Sequence, residues 1–387
     1  MINRRIFLTG ATSLAVATAL AAHQDDRRLH RAAVIGATGR GDYGHGLDVI
    51  FNGLPGVDVV AVADHHEQGR EKAKQRSGAR RAYADYREML EKEKPGLASI
   101  APRWTEEHHA MAMAALEAGA HLIMEKPITT TPAEADEILA LAAKKNLRVA
   151  VAHQMHLAPS IVMMKKAVDS GLIGDLLELR TWGKQDARAG GEDMMVLGTH
   201  LFDLMRLFAG DPAWCSARVL WRGKEIEKRD ARQAGEKIGP VAGDDIHATF
   251  GFADSVIGSF TSRAKLRERS GHWGIELIGT RTSARILADI SPRVYLMDET
   301  KWSDAGRDAK WIRWEKDQSL SAESRTTTAA NRRVADDWLA AINERRDPEC
   351  SGANAAKAVE MVMAIYRASL TRSRVALPLA QRDHPLV

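Results

Sequence analysis

Arg31-Ala32-Ala33-Val34-Ile35-Gly36-Ala37-Thr38-Gly39-Arg40-Gly41 is the stretch on which the fold turns. A short apolar run predicts a strand, glycines at 36, 39 and 41 predict a tight bend, and a helix-like stretch follows Gly46. Strand, glycine turn and helix in that order suit a dinucleotide. The turn lets a pyrophosphate approach the main chain, and the helix N-terminus offers it unpaired N–H groups. Gly36, Thr38, Gly39, Arg40 and Gly41 are therefore candidate cofactor residues, with Thr38 standing where a second glycine is expected. Such a loop has little specificity alone. A second apolar run, Val57 to Ala63, ends in Asp64, near the spacing of about 20 residues at which an acid meets the adenosine ribose hydroxyls. Asp64 repels a 2′-phosphate and no arginine follows it directly, so NAD is expected in preference to NADP.

Working outward, Leu97 to Ala101 predicts a strand reaching Pro102, Glu106 to Ala118 a helix closed by Gly119, and His121 to Met124 the next strand. A helix over 131–145 and a strand over 148–152 complete the half. The alternation predicts a doubly wound parallel sheet over 30–152, an α/β Rossmann domain buried on both faces. The pattern then changes. Strands are expected at 176–183, 216–221, 245–251, 255–262, 273–279 and 283–287, with a helix near 198–209, giving an α+β domain over 153–387 whose sheet is open and mostly antiparallel. Helices at 329–343 and 353–371 are expected to return to the body of the molecule.

A chain of 387 residues is long enough for two cores, and 45% hydrophobic with 27% charged residues is an ordinary globular composition. The net charge of +4 comes from 55 basic and 51 acidic residues without a basic block, so nucleic-acid binding gains no support. Cys215 and Cys350 have no metal-type spacing and are expected to be core thiols, a single disulfide remaining open.

The first residues read as an export signal. Asn-Arg-Arg-Ile-Phe-Leu-Thr at 3–9 precedes a run of small apolar residues from Gly10 to Ala22, too short for a bilayer core of about 30 Å. Residues 1–22 thus suggest a cleavable leader, the paired arginines resembling the twin-arginine type; a Sec leader and an uncleaved anchor are the alternatives. After cleavage a periplasmic or otherwise exported protein without a membrane anchor is expected.

At the end of the strand from His121 stands Glu125-Lys126-Pro127. With the glycine turn, Asp64, Pro102 and His108, Gly198-Thr199-His200 with Asp203, and Gly279, it is similar to the glucose-fructose oxidoreductase, inositol dehydrogenase and rhizopine-catabolism family. The resemblance spans nearly the whole mature chain. It implies an NAD(P)-dependent oxidoreductase acting on CH–OH groups, a sugar, glycoside or cyclic polyol as substrate, and a homodimer or homotetramer. Pro102, His108, Glu125 and Lys126 are then further cofactor candidates, and Lys126 and His200 the groups that move the hydroxyl proton. Lys126 suits this because it stands at the carboxyl end of a strand, and burial would lower its pKa. Asp203 lies about one turn beyond His200 on the same face.

The family pattern has an acid four residues before His200, where this chain has Val196; Asp193 or Glu192 is the candidate replacement. His156 and Leu157 stand where the family tends to carry an arginine and an aromatic, and His153 and His156 are expected at the substrate together with Thr199. These histidines with Glu192 also suggest a metal, but hydroxyl recognition is the better reading and no metal is expected. Trp104 and Trp182 suit ring stacking or core packing, and Arg263, Lys265, Arg267 and Arg269 an acidic sugar or a solvated edge. An exported enzyme lacks a free NAD pool, so a non-dissociating cofactor is expected. A redox-neutral glycosidase of the same fold and a non-catalytic sugar- or nucleotide-binding protein are the alternatives.

Overall fold

The structure is a computed structural model and describes residues 30–269, 272–298 and 310–387, so the leader read at 1–22 lies outside them. No described helix is long and apolar enough to cross a membrane.

Strands β1 (His30–Ile35), β2 (Val57–Ala63), β3 (Arg81–Tyr83), β4 (Leu97–Ile100), β5 (His121–Met124) and β6 (Val149–Val151) form one parallel sheet in the order β3-β2-β1-β4-β5-β6. Helices α1 (Glu67–Ser77), α2 (Tyr86–Glu93), α3 (His108–Glu117) and α4 (Pro132–Lys144) connect them. Both faces are covered, which is why the strands read as unbroken apolar runs. Strand order reverses between β1 and β4, and ligands of such sheets bind beyond the carboxyl ends at that point.

The helix expected after Gly46 does not form. Leu47–Val49 makes one 3₁₀ turn and the chain then runs through turns to β2. Gly44, Gly46, Gly53, Pro55 and Gly56 fall within this short span, and each glycine costs a helix interior about 1 kcal/mol.

After α5 (Pro159–Asp169) comes the second sheet, built from β7 (Leu176–Trp182), β8 (Trp214–Trp221), β9 (Lys224–Glu225), β12 (Asp245–Gly251), β13 (Ile257–Arg263), β14 (Gly274–Gly279), β15 (Ser283–Leu287), β16 (Arg293–Met297), β17 (Trp311–Arg313) and β18 (Val375–Ala376). Its order is β17-β16-β15-β14-β7-β13-β12-β8-β18, with β9 beside β8, and only β7 and β13 pair in parallel. β10 (Arg232–Gln233) and β11 (Pro240–Val241) form a separate hairpin. One face of the large sheet buries Leu179, Ile246, Phe250, Phe260, Ile275 and Ile286 under α6 (Thr199–Ala209) and α8 (Gly352–Thr371). The other carries half-buried or exposed polar residues such as Glu178, Arg180 and His247.

The helix α7 (Thr327–Glu344) returns to the first domain. Its Trp338 is fully buried 6.4 Å from the Phe51 ring and donates to Arg148 O at 3.4 Å, and Asn331 links Gln154 to the His45 carbonyl. Cys215 and Cys350 are buried free thiols in separate cores.

Candidate active site

Beyond the carboxyl ends of β1 and β2 lies a cavity of ≈ 370 Å³, walled by Gly36, Ala37, Arg40, Asp64 and His65 on one side and by residues such as Tyr86, Glu107 and Met111 on the other. A Cβ on Gly36 would stand 2.0 Å from the Tyr43 ring, and one on Gly41 (φ 89°) 2.4 Å from the Arg103 amide, so the turn needs glycine at both positions.

Asp64 is in place but engaged. Its carboxylate accepts Thr38 Oγ1 (2.6 Å), Thr38 N, Tyr43 Oη (2.7 Å) and His66 N (2.9 Å). Burial pulls its pKa up, but these donors win and hold it below the usual carboxylate range. Thr38, which looked like a missing glycine, is the tie that fixes this acid to the turn.

The corner after β5 is tightly organised. Glu125 is fully buried; Oε1 takes the backbone N and Nδ1 of His45, both at 2.8 Å, and Oε2 takes Lys126 N at 3.1 Å. Glu125 therefore anchors the glycine loop to β5 rather than facing the cavity. His108 departs from its expected role in the same way. Both ring nitrogens lie against carbonyls, Nδ1 2.8 Å from Pro127 O and Nε2 2.7 Å from Pro102 O, and whichever carries the hydrogen donates, so His108 sits between two corners and does not line the cavity.

Lys126, joined to Pro127 by a cis peptide bond, is buried, and its Nζ donates to Val196 O at 3.0 Å. Burial lowers its pKa, with the Glu125 charge opposing. The acceptor belongs to a π-helical turn, Met194–Gly198, that leads directly into α6; such wide turns gather at functional sites.

His200, in the first turn of α6, lies with its ring 5.1 Å from that of His153 and 6.1 Å from Trp273. His200 Nδ1 and His153 Nε2 are buried without a partner. Burial pushes the His153 pKa down to about 4 and that of His200 well below its ordinary value. His156 Nδ1 meets Asp203 Oδ2 at 2.8 Å, and His153 Nδ1 is 4.0 Å from Oδ1 of the same carboxylate. Burial lowers His156, yet Asp203 outweighs it and the net shift is upward.

Two expected contributors are not at the reacting end. Asp193 accepts Lys184 N (3.2 Å), Gln185 N (3.0 Å) and Ser262 Oγ (2.6 Å), so it pins the loop after β7 and has little capacity left for a substrate proton. Thr199 is fully buried and its hydroxyl donates to Met195 O inside its own helix at 3.3 Å. Removing an acceptor from buried donors costs about 1–3 kcal/mol. Asp193→Asn is expected to lose that much stability in urea unfolding while changing kcat less than tenfold; a loss of kcat beyond a thousandfold at unchanged stability would return Asp193 to the chemistry.

Glu192 lies 3.7 Å from Arg232, and among the described residues no three His, Cys, Asp or Glu side chains converge as metal ligands. Trp182 donates to His272 O, Trp104 is half-buried, and Arg263 touches His247 at 3.2 Å. Lys265 borders a shallow surface hollow, and the Arg267 and Arg269 side chains lie outside the described set. Sequence reasoning missed Tyr43, His45, Trp273 and Asn331. His45 and Tyr43 sit inside the glycine turn, where polar residues could have prompted attention; Trp273 and Asn331 carry no local signal.

These parts define a two-domain α/β oxidoreductase with a dinucleotide crevice. Residues 30–153 match the oxidoreductase family's NAD-binding Rossmann fold and residues 165–377 its C-terminal alpha/beta domain, so the chain belongs to the Gfo/Idh/MocA oxidoreductase family. It is 25% identical over 262 residues to levoglucosan dehydrogenase of Pseudarthrobacter phenanthrenivorans (61% of this chain, 67% of the relative). It is 24% identical over 348 residues to D-apiose dehydrogenase of Paraburkholderia graminis (86% and 87%). The solved structure of levoglucosan dehydrogenase with NADH and levoglucosan superposes with a TM-score of 0.72 at 20% identity, covering 90% of this chain and 100% of that one. NAD is the cofactor of this fold, and the residues fit it: the cavity has a glycine wall and an acid at its ribose end, and buried unpartnered imidazole nitrogens near Lys126.

Proposed function

We propose that this protein is an exported dehydrogenase that oxidises a secondary alcohol of a sugar, glycoside or cyclic polyol, or reduces the matching ketone, with NAD held through many turnovers. The observation that carries the reading is the buried Lys126 amine just beyond the carboxyl end of β5, together with the unpartnered ring nitrogens of His200 and His153. Bound NAD supplies the hydride acceptor or donor.

The chain's own part is proton handling and orientation. Lys126, tied to Val196 O, presents its remaining hydrogens to the substrate oxygen and stabilises negative charge there. His200 orders a neighbouring hydroxyl through Nδ1, and Trp273 borders the same space. The relatives act on levoglucosan and D-apiose, which makes polyhydroxylated rings the first compounds to try. Export rests on the Arg4-Arg5 leader, and tight cofactor retention follows from the scarcity of free NAD outside the cytoplasm. A homo-oligomer through the open sheet face belongs to the same proposal.

The test is an absorbance spectrum and denatured-extract mass analysis of extensively dialysed mature protein, before and after adding a panel of sugars, cyclic polyols and glycosides. Retained NAD that one panel member reduces, with absorbance rising near ~340 nm as for any reduced nicotinamide, is the expected result. A protein that is nucleotide-free and turns over only with added NAD overturns the carried-cofactor part. Aglycone release without net reduction would favour the redox-neutral reading.

A further inference from the structure

The carboxylates nearest Lys126 are committed elsewhere. Glu125 is spent on His45 and its neighbour's amide, Asp193 on a loop and Ser262, and Asp203 Oδ2 on His156. The bases near Lys126 that keep a buried, unpartnered nitrogen are two imidazoles, His153 and His200, with ring centroids 5.1 Å apart.

They are not equivalent. His153 has a carboxylate behind it, Asp203 Oδ1 at 4.0 Å from Nδ1, and its opposite nitrogen, Nε2, is buried and unpartnered. Among the described residues His200 has no carboxylate within salt-bridge distance, and burial first, then the Lys126 charge, disfavours its cation. A carboxylate on the far nitrogen holds the near one bare and stabilises the imidazolium once a proton arrives.

Resting on the dehydrogenase reading above, we propose that His153 is a catalytic residue, the proton acceptor for the substrate hydroxyl through Nε2, and that Asp203 is a positioning residue holding it through Nδ1. In oxidation the substrate O–H bond breaks and its electron pair becomes the second C–O bond as hydride leaves the same carbon for NAD. The proton passes to His153 Nε2, and the imidazolium is stabilised by Asp203. Holding the ring through Nδ1 requires the 4.0 Å separation from Asp203 Oδ1 to shorten to hydrogen-bond length when substrate binds. Lys126 and His200 orient the oxygen. Burial depresses the His153 pKa in the resting site while Asp203 opposes it, in accord with a neutral ring ready to accept.

The assignment is tested without turnover by long-range ¹H–¹⁵N spectra of histidine-labelled holoenzyme at neutral pH. The expected result is a His153 ring protonated at Nδ1 and bare at Nε2, with Asp203→Asn shifting that balance; a ring protonated at Nε2 overturns the proposal. In turnover assays with levoglucosan, myo-inositol and the other panel sugars, His153→Ala is expected to lower kcat a hundredfold or more with KM changed less than threefold. Val196→Asp in the same chain, placing a carboxylate one turn before His200, is expected to recover at least tenfold. A His153→Ala protein that folds and keeps kcat within threefold overturns the inference and leaves the dehydrogenase reading standing. A wild-type enzyme that reduces NAD with no panel sugar sinks that reading instead, and the tautomer still decides His153. Should His153→Ala not fold, His153→Gln, which fills the space, replaces it.

Discussion

Lys126→Met is expected to lower kcat by roughly 10²–10⁴-fold while the protein stays folded and keeps its nucleotide. The amine is buried, and its one protein acceptor is the Val196 carbonyl. A methionine of similar volume fills the space, leaves no uncompensated charge, and exposes one carbonyl acceptor to the pocket. Stability should therefore fall by only about 1 kcal/mol, the net worth of one hydrogen bond. What disappears is the charge that steadies a developing alkoxide at the carboxyl end of β5, together with the proton that charge controls. Steady-state kinetics with the panel member that reduces retained NAD, alongside nucleotide content by mass analysis, provide the check. A variant with kcat within tenfold of wild type removes Lys126 from the chemistry.

A second large effect is expected from acid. His121, His153 and His384 are pushed down to about 4, chiefly by burial, and His200 lies well below its ordinary value for the same first cause. In the unfolded chain each titrates near 6.5. Between about pH 6.5 and 4 the unfolded state binds protons that the folded state refuses, so stability falls as pH drops through that window. Each histidine contributes up to about 1.4 kcal/mol per pH unit, with His121, which is only half-buried, giving less. His156 opposes this because its pKa is raised: its stabilisation is fully present below 6.5 and fades as pH rises through the folded value. Asp203 is lowered, so its share is lost only below the carboxylate range. Three or four histidines against one consume much of an ordinary domain stability of about 5–15 kcal/mol. Unfolding is therefore expected before pH 4 is reached. Urea titrations at pH 7.5, 6, 5 and 4.5 should show the midpoint falling at every step, and the fall should be shallower in His384→Gln. A midpoint constant from pH 7.5 to 5 contradicts the buried neutral histidines.

Much of the architecture was legible along the chain. The unbroken apolar runs ending at Ile35, Ala63, Ile100 and Met124 read as parallel strands because both faces of that sheet are covered, and the alternating pattern after residue 176 read as a sheet with one wet face. The short strands β3, β9 and β16 to β18 and the hairpin of β10 and β11 were not read from the chain, since most of them have only two or three residues, too few to show a period. The helix expected after Gly46 gave way to one 3₁₀ turn because Gly53, Pro55 and Gly56 follow within a few residues and disfavour its continuation.

The sequence by itself determined the two-domain plan, the dinucleotide turn and the candidacy of Lys126 and His200, because periodicity and the order of short motifs are local properties of the chain. Only the tertiary structure decided how each polar group spends its hydrogen bonds. It gives Asp64 to Thr38 and Tyr43, Glu125 to His45, His108 to two carbonyls and Asp193 to Ser262, and it leaves His153 and His200 each with an unpartnered nitrogen. A donor or acceptor has a fixed number of places to fill, and residues as distant as Lys126 and Val196 fill them only after two domains have folded against one another.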